Sequence, residues 1–130
     1  MKDFKENSHI DSFVRVESWM LFDLGLSGVD LLLYGLIYGY TLTCGGFTGS
    51  RAYLSFWLGC SLSTLDVHVN TFIGKGYVTK THRTVNGESV VCLMAAREAY
   101  VKAQAAAEAR RASLKSRPEA DESAPENGAG

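Results

Sequence analysis

The stretch that decides the fold is Leu54-Ser55-Phe56-Trp57-Leu58-Gly59-Cys60-Ser61-Leu62-Ser63-Thr64-Leu65-Asp66-Val67-His68-Val69-Asn70-Thr71-Phe72-Ile73-Gly74-Lys75-Gly76-Tyr77-Val78. It reads as two short helices meeting at a tight turn. Gly59 stands where the chain must reverse, and without a Cβ it takes positive φ at no steric cost. Ser61 offers its side-chain oxygen to the free N–H groups that open the second helix. Leu65, Val69 and Phe72 recur at spacings of four and three, so they share one buried face. Gly76 ends that helix as a C′ glycine. Helix, glycine turn, capped helix and strand together read as a helix-turn-helix followed by a wing.

Downstream, Tyr77 to Thr84 is rich in Thr, Val and Tyr, and Glu88 to Leu93 returns with Val90, Val91 and Cys92. Asn86-Gly87 between them predicts a type I′ turn, so the wing is a hairpin with strands of about seven residues. Upstream, Ser50 caps the helix whose Leu54 and Leu58 face inward. Ser55 occupies a small position that lets the two helices cross closely. Phe56 and Trp57 are adjacent, so at least one is expected near the surface, as a partner contact or under another element.

Earlier still, Phe13-Val14-Arg15-Val16-Glu17 alternates as a short half-buried strand, and Trp19 to Phe22 folds back over the core. A long helix opens at Ser27, with Ser27 and Asp30 as an aspartate form of the capping box. Val29, Leu33, Leu36, Ile37 and Tyr40 make one apolar face; Leu31, Tyr34, Tyr38 and Leu42 make another. A helix apolar on all sides must be covered on all sides. Either the N-terminal strand and a C-terminal helix cover the Tyr34/Tyr38 face, or part of it is a dimer interface. Gly35 and Gly39 permit close approach of whatever packs there, and Gly45-Gly46 breaks the helix.

Leu58-Gly59-Cys60-Ser61-x-x-Thr64-Leu65, continued by Phe72-x-x-Lys75-Gly76-Tyr77-Val78, resembles the recognition half of bacterial winged helix-turn-helix domains. It is similar to the N-terminal domains of phage replisome organisers and plasmid replication initiators. Those open with a short strand carrying a Trp and then a long apolar helix, as Phe13 to Leu42 does. The likeness covers Phe13 to Met94. It implies a mainly α winged helix with a small antiparallel sheet, to which this chain adds a C-terminal helix. Winged helices serve both as DNA-binding and as protein-docking modules, so fold alone does not settle function.

Four segments are therefore expected: a flexible lead-in at 1–12, the winged helix at 13–94, an Ala-rich helix at 95–116 and a disordered acidic tail at 117–130. The 130 residues are 46% apolar, enough for one core. Ala favours the C-terminal helix, and Glu98 stands four before Lys102. Beyond Tyr100, Val101 and Leu114 that helix has few large anchors, so its far half is expected to project, fray or pair with a second copy. Pro118 stops it, and the rest is small and acidic.

The formal net charge is −1, but from Pro118 onward there are four acids and no base. Without that tail, thirteen bases stand against ten acids, leaving +3. Cys44, Cys60 and Cys92 are odd in number and form no CxxC pair, so buried thiols in a reducing cytoplasm are expected rather than disulfides. The start carries no apolar leader. Leu31 to Ser50 lacks charge, but its second half is Thr and Gly, so a buried helix rather than a membrane span is expected. No catalytic constellation, cofactor fingerprint or metal-ligand spacing stands out; His9, His68 and His82 are dispersed. An enzyme is not expected.

With Leu65, Val69 and Phe72 inward, the second helix presents Leu62, Ser63, Asp66, Val67, Asn70 and Thr71 outward, as a recognition helix does to a major groove. By resemblance, helix-start contacts fall on Leu62, Ser63 and Thr64, after the cap Ser61, and mid-helix contacts on Asp66, Val67 and Asn70. Asn70 can pair with adenine, Ser63 and Thr64 can reach a base or phosphate, and Leu62 or Val67 a thymine methyl. Related helices carry Arg, Lys or Gln at the positions of Leu62, Ser63, Asp66 and Val67; this one has no base from Cys60 to Gly74. Phosphate neutralisation therefore falls to Arg51, Lys75, Lys80, His82 and Arg83. The expected partner is double-stranded DNA, in transcriptional regulation or replication initiation. The alternative is a winged-helix protein-interaction module without strong DNA affinity, through Tyr34, Tyr38, Phe56 and Trp57, docking a replisome protein or a second copy via the long helix or the C-terminal helix.

Overall fold

A computed structural model of the chain describes residues 14–115. The expected lead-in at 1–12 and acidic tail at 117–130 lie outside the described residues. The order is α1 (Ser18–Phe22), α2 (Gly28–Cys44), α3 (Arg51–Leu58), α4 (Leu62–Lys75), β1 (Val78–Val85), β2 (Glu88–Ala95) and α5 (Arg97–Lys115). The architecture is mainly helical with one two-stranded antiparallel sheet. No helix among the described residues is long and apolar enough to cross a membrane.

The core is aromatic. Trp19 meets Tyr34 and Tyr38 edge to face, with centroids 6.0 and 5.1 Å apart. Tyr38 meets Tyr100 of α5 at 5.1 Å, and Tyr34 meets Phe72 of α4 at 5.8 Å, both near perpendicular. These are the arrangements the ring quadrupole favours. Tyr34 and Tyr38 are buried within this one chain, so the expectation of a dimer interface there is overturned. α1 and α5 supply the cover.

The extended strand expected at Phe13–Glu17 is not formed. Residues 14–17 run as unpaired chain, and Phe13 lies outside the described residues. That segment crosses α2 at Gly35, where a Cβ would stand 2.8 Å from Val14 Cγ2 and 3.0 Å from the Arg15 carbonyl oxygen. Close approach thus occurs at Gly35, whereas nothing lies near Gly39. Ser27 does precede α2, but its side chain makes no capping bond. Asp30 instead pairs with His68 on α4, tying the start of α2 to the middle of α4.

At its other end α2 stops in left-handed Gly45, and the chain turns back onto the sheet. Phe47 exchanges two backbone hydrogen bonds with Leu93, 2.8 and 2.9 Å, adding a single bridge to the free edge of β2. Gly46 makes this possible. Its φ is +138°, and a Cβ there would sit 2.5 Å from Cys92 Sγ and 2.8 Å from Met94 Cγ. Thr41 ties the same corner from α2, its hydroxyl accepting from Ala95 N–H at 2.9 Å.

α5 docks rather than projects over most of its length. Its contact stripe is small: Tyr100, Ala103 and Ala107 are buried, at spacings of three and four. Gln104 donates to Tyr38 Oη at 2.9 Å, and Arg110 reaches both carboxylate oxygens of Asp23 at 2.9 Å while lying over the Phe22 ring. Val101 and Leu114, counted as anchors from the sequence, are exposed. Alanines suffice because helices approach closely where side chains are small. Cys44, Cys60 and Cys92 are all free thiols, but only Cys92 is buried as expected; Cys60 is half-buried and Cys44, at the end of α2, is exposed.

Candidate nucleic-acid interface

α3 and α4 are joined by a turn whose chemistry is local. Ser50 Oγ accepts from Tyr53 N–H at 3.0 Å, and Ser61 Oγ from Thr64 N–H at 3.1 Å, so both expected caps are made. Gly59 has φ +68°. Ser55 does more than leave room: its hydroxyl donates to the Cys60 carbonyl and closes the turn. Leu54, Leu65 and Phe72 are buried and Val69 is half-buried, so α4 is propped from behind as its apolar spacing requires.

The opposite side of α4 is open. Leu62, Ser63, Val67, Asn70 and Thr71 are exposed, Val67 at 63%. Thr64 is exposed but bound to the Ser61 cap. The Thr71 hydroxyl turns back to the Val67 carbonyl at 2.8 Å. Ser63, Val67 and Asn70 are the side chains best placed to meet a ligand.

Beside α4 stands the hairpin. Asn86 and Gly87 both have positive φ, +53° and +81°, as a type I′ turn demands. The strands pair from Val78↔Ala95 to Val85↔Glu88, eight residues each. A groove of about 300 Å³ lies between α4 and the sheet. Its floor is apolar, with Phe47, Leu54, Leu65 and Leu93. Its rim carries Arg51, Asp66, Asn70 and Lys80.

The cations expected to meet phosphate are not equivalent. Side chains alternate across a strand, so Lys80 and His82 share a face with Leu93 and Val91, while Arg83 lies on the other face. There Arg83 donates to the Gly45 carbonyl at 2.9 Å and to that of Cys44 at 3.4 Å. It complements the negative end of α2. Arg83, expected to neutralise phosphate along with Lys80 and His82, is turned instead to the end of α2. Arg51 is engaged too. Its Nε donates to Asp66 Oδ1 at 3.0 Å and its Nη2 to Oδ2 at 2.9 Å, which raises the guanidinium pKa further. Asp66, expected among the mid-helix contacts, is neutralised by this pair. Lys75 lies 5.8 Å from the Tyr77 ring centroid at the end of α4. Lys80 makes no ion pair among the described residues and stands at the groove.

Of the four expected partner-interface residues, Tyr34 and Tyr38 belong to the core. Trp57 is half-buried against it, and Phe56 is 80% exposed. Sequence reasoning missed the Arg51–Asp66 pair, the Arg83 cap and the Phe47 bridge. Strand parity held the signal for Arg83, since residues 80 and 83 cannot share a face. Among the described residues, no three His, Cys, Asp or Glu side chains gather as a metal site. No protein-family model matches the chain, and no curated protein matches it in sequence.

Proposed function

We propose that residues 14–95 are a winged helix-turn-helix that binds double-stranded DNA, with α4 in the major groove and the hairpin along the backbone. The role in view is transcriptional regulation or replication initiation in a bacterial or mobile-element genome. One observation carries this reading: the polar side of α4, with Ser63, Val67 and Asn70, is exposed and flanked by a hairpin bearing Lys80 and His82 on the adjoining face. The Phe47–Leu93 bridge supports the fold, because it anchors the hairpin beside α4. Asn70 supplies the donor and acceptor that adenine takes in the major groove. Lys80 and Lys75 supply phosphate contacts.

Fluorescence anisotropy with duplex fragments across about 50–200 mM salt tests this. Binding is expected to weaken with salt. Lys80→Ala is expected to lower the slope of log K against log salt by about one contact, uniformly across sequences. Asn70→Ala is expected to reduce discrimination by roughly tenfold or more at one base pair while leaving the slope intact. Salt-insensitive or undetectable duplex binding sinks the reading.

A protein-interaction module is the second reading, and Phe56 favours it. Phe56 is 80% exposed on a short helix, and aromatic side chains are enriched at the cores of protein interfaces. Undetectable duplex binding by the parent, together with a protein partner that is lost in Phe56→Ser, would shift the assignment to this reading.

A further inference from the structure

Arg51 is the only charged residue of α3, and Asp66 is the only acid of α4. They lie fifteen positions apart and meet across the turn in a two-point fork, 3.0 and 2.9 Å. A carboxylate and a phosphodiester offer a guanidinium the same geometry of two acceptor oxygens. The side chains are 57% and 46% exposed, so another anion can reach the pair and exchange into it. The pair sits on the rim of the groove that also carries Asn70 and Lys80. Resting on the reading of this face as a duplex-binding surface, we propose that Arg51 is a phosphate-binding residue held in reserve. Asp66 is the internal anion that occupies its fork and suppresses binding to arbitrary DNA.

The exchange has a direction. A backbone phosphate that takes Arg51 leaves the Asp66 carboxylate unpaired beside a polyanion. At a generic site nothing offsets that repulsion, so the fork stays closed and phosphate contacts are limited to Lys75, Lys80 and His82. Where base contacts from Ser63, Val67 and Asn70 hold the duplex in register, the proximity of the phosphate offsets it. Asp66 thus lowers non-specific affinity more than specific affinity, which raises the ratio that matters among many competing sites.

The test is a double-variant cycle on the full chain, with a short random-sequence duplex as the probe and anisotropy read across salt. Asp66→Asn is expected to bind roughly tenfold tighter, with a salt slope steeper by about 0.9, the signature of one added phosphate contact. Arg51→Ala alone is expected to stay within about twofold of the parent, because its guanidinium is already occupied. With both changes, most of the Asp66→Asn gain is expected to vanish. An equal gain in the two backgrounds would mean that only a negative charge had been removed, and would overturn the reserve arginine. Unchanged affinity in Asp66→Asn would overturn it as well. If both single variants weaken binding and lower the melting temperature, the pair is a structural staple and the proposal fails. If the parent binds duplex while any of these failures occurs, the DNA reading survives. If neither the parent nor Asp66→Asn binds duplex, both fall together.

Discussion

The seam where α1, α2 and α5 meet and the face made by α4 and the hairpin are built on opposite terms. In the seam, Trp19, Tyr34, Tyr38 and Tyr100 close on one another, and the Arg110–Asp23 pair is half-sheltered at its edge. On the other face, apolar Val67 stands in water, Arg51 is held by a half-exposed Asp66, and Lys80 is open at the groove. Burial makes the seam the source of stability, whereas open groups contribute little to it. The contrast teaches that a stabilising core and an open outer face are separable here, although they share one helix: α4 turns Phe72 into the first and Asn70 out to the second.

The largest test of that separation is Phe72→Ala. It removes a fully buried ring against Tyr34 and Tyr77 and is expected to cost about 3–5 kcal/mol, with the melting temperature falling by more than about 10 °C. Asn70→Ala, two residues away and exposed, should stay within about 0.5 kcal/mol of the parent in the same denaturation experiment. Similar losses at the two positions would break the comparison.

Gly46→Ala probes the border between the regions. The added Cβ collides with Cys92 and Met94 at a positive φ, so a loss of about 3 kcal/mol is expected. The hairpin edge should open first, with faster amide exchange at Leu93 and Phe47, which exchange backbone hydrogen bonds. Uniform exchange across the molecule would mean that the hairpin and seam unfold as one unit.

Tyr34→Phe is the smallest change. Among the described residues the buried Tyr34 hydroxyl has no hydrogen-bond partner, so its removal is expected to be neutral or to stabilise by up to about 1 kcal/mol. Burial, reinforced by Tyr38, Tyr100 and Tyr77, raises its pKa well above the ordinary 10. The unfolded chain therefore releases this proton at lower pH than the folded one. Stability from the buried neutral phenol is complete below pH about 10 and declines as pH rises above it. Tyr34→Phe should flatten that alkaline decline in denaturant titrations. An unchanged alkaline limb would place the titration elsewhere, with Tyr38, whose pKa burial also raises, the next residue to replace.

Local signals were legible because each is decided within about four residues. The caps at Ser50 and Ser61, the left-handed Gly59 and Gly76, the Asn86-Gly87 turn and the inward Leu65 and Phe72 are of this kind. The Ser27–Asp30 capping box failed because Asp30 had a better partner thirty-eight positions away, His68. The strand expected before α1 failed for a related reason: alternation marks residues that can be half-buried, but a strand also needs an edge to pair with. Val14 and Arg15 found the bare backbone of Gly35 instead.

By itself, then, the amino-acid order determined the four longer helices, the glycine stops of α2, α3 and α4, the hairpin and its register, and which side of α4 turns inward. Backbone propensity, capping and periodicity act at short range and need no knowledge of the rest of the chain. Only the tertiary structure decided which charges remain available on the outer face. Arg51 is committed to Asp66, Arg83 to the end of α2, and Lys80 stands open at the groove. Those partners are fifteen to thirty-nine positions apart, and packing alone brings them within hydrogen-bond reach.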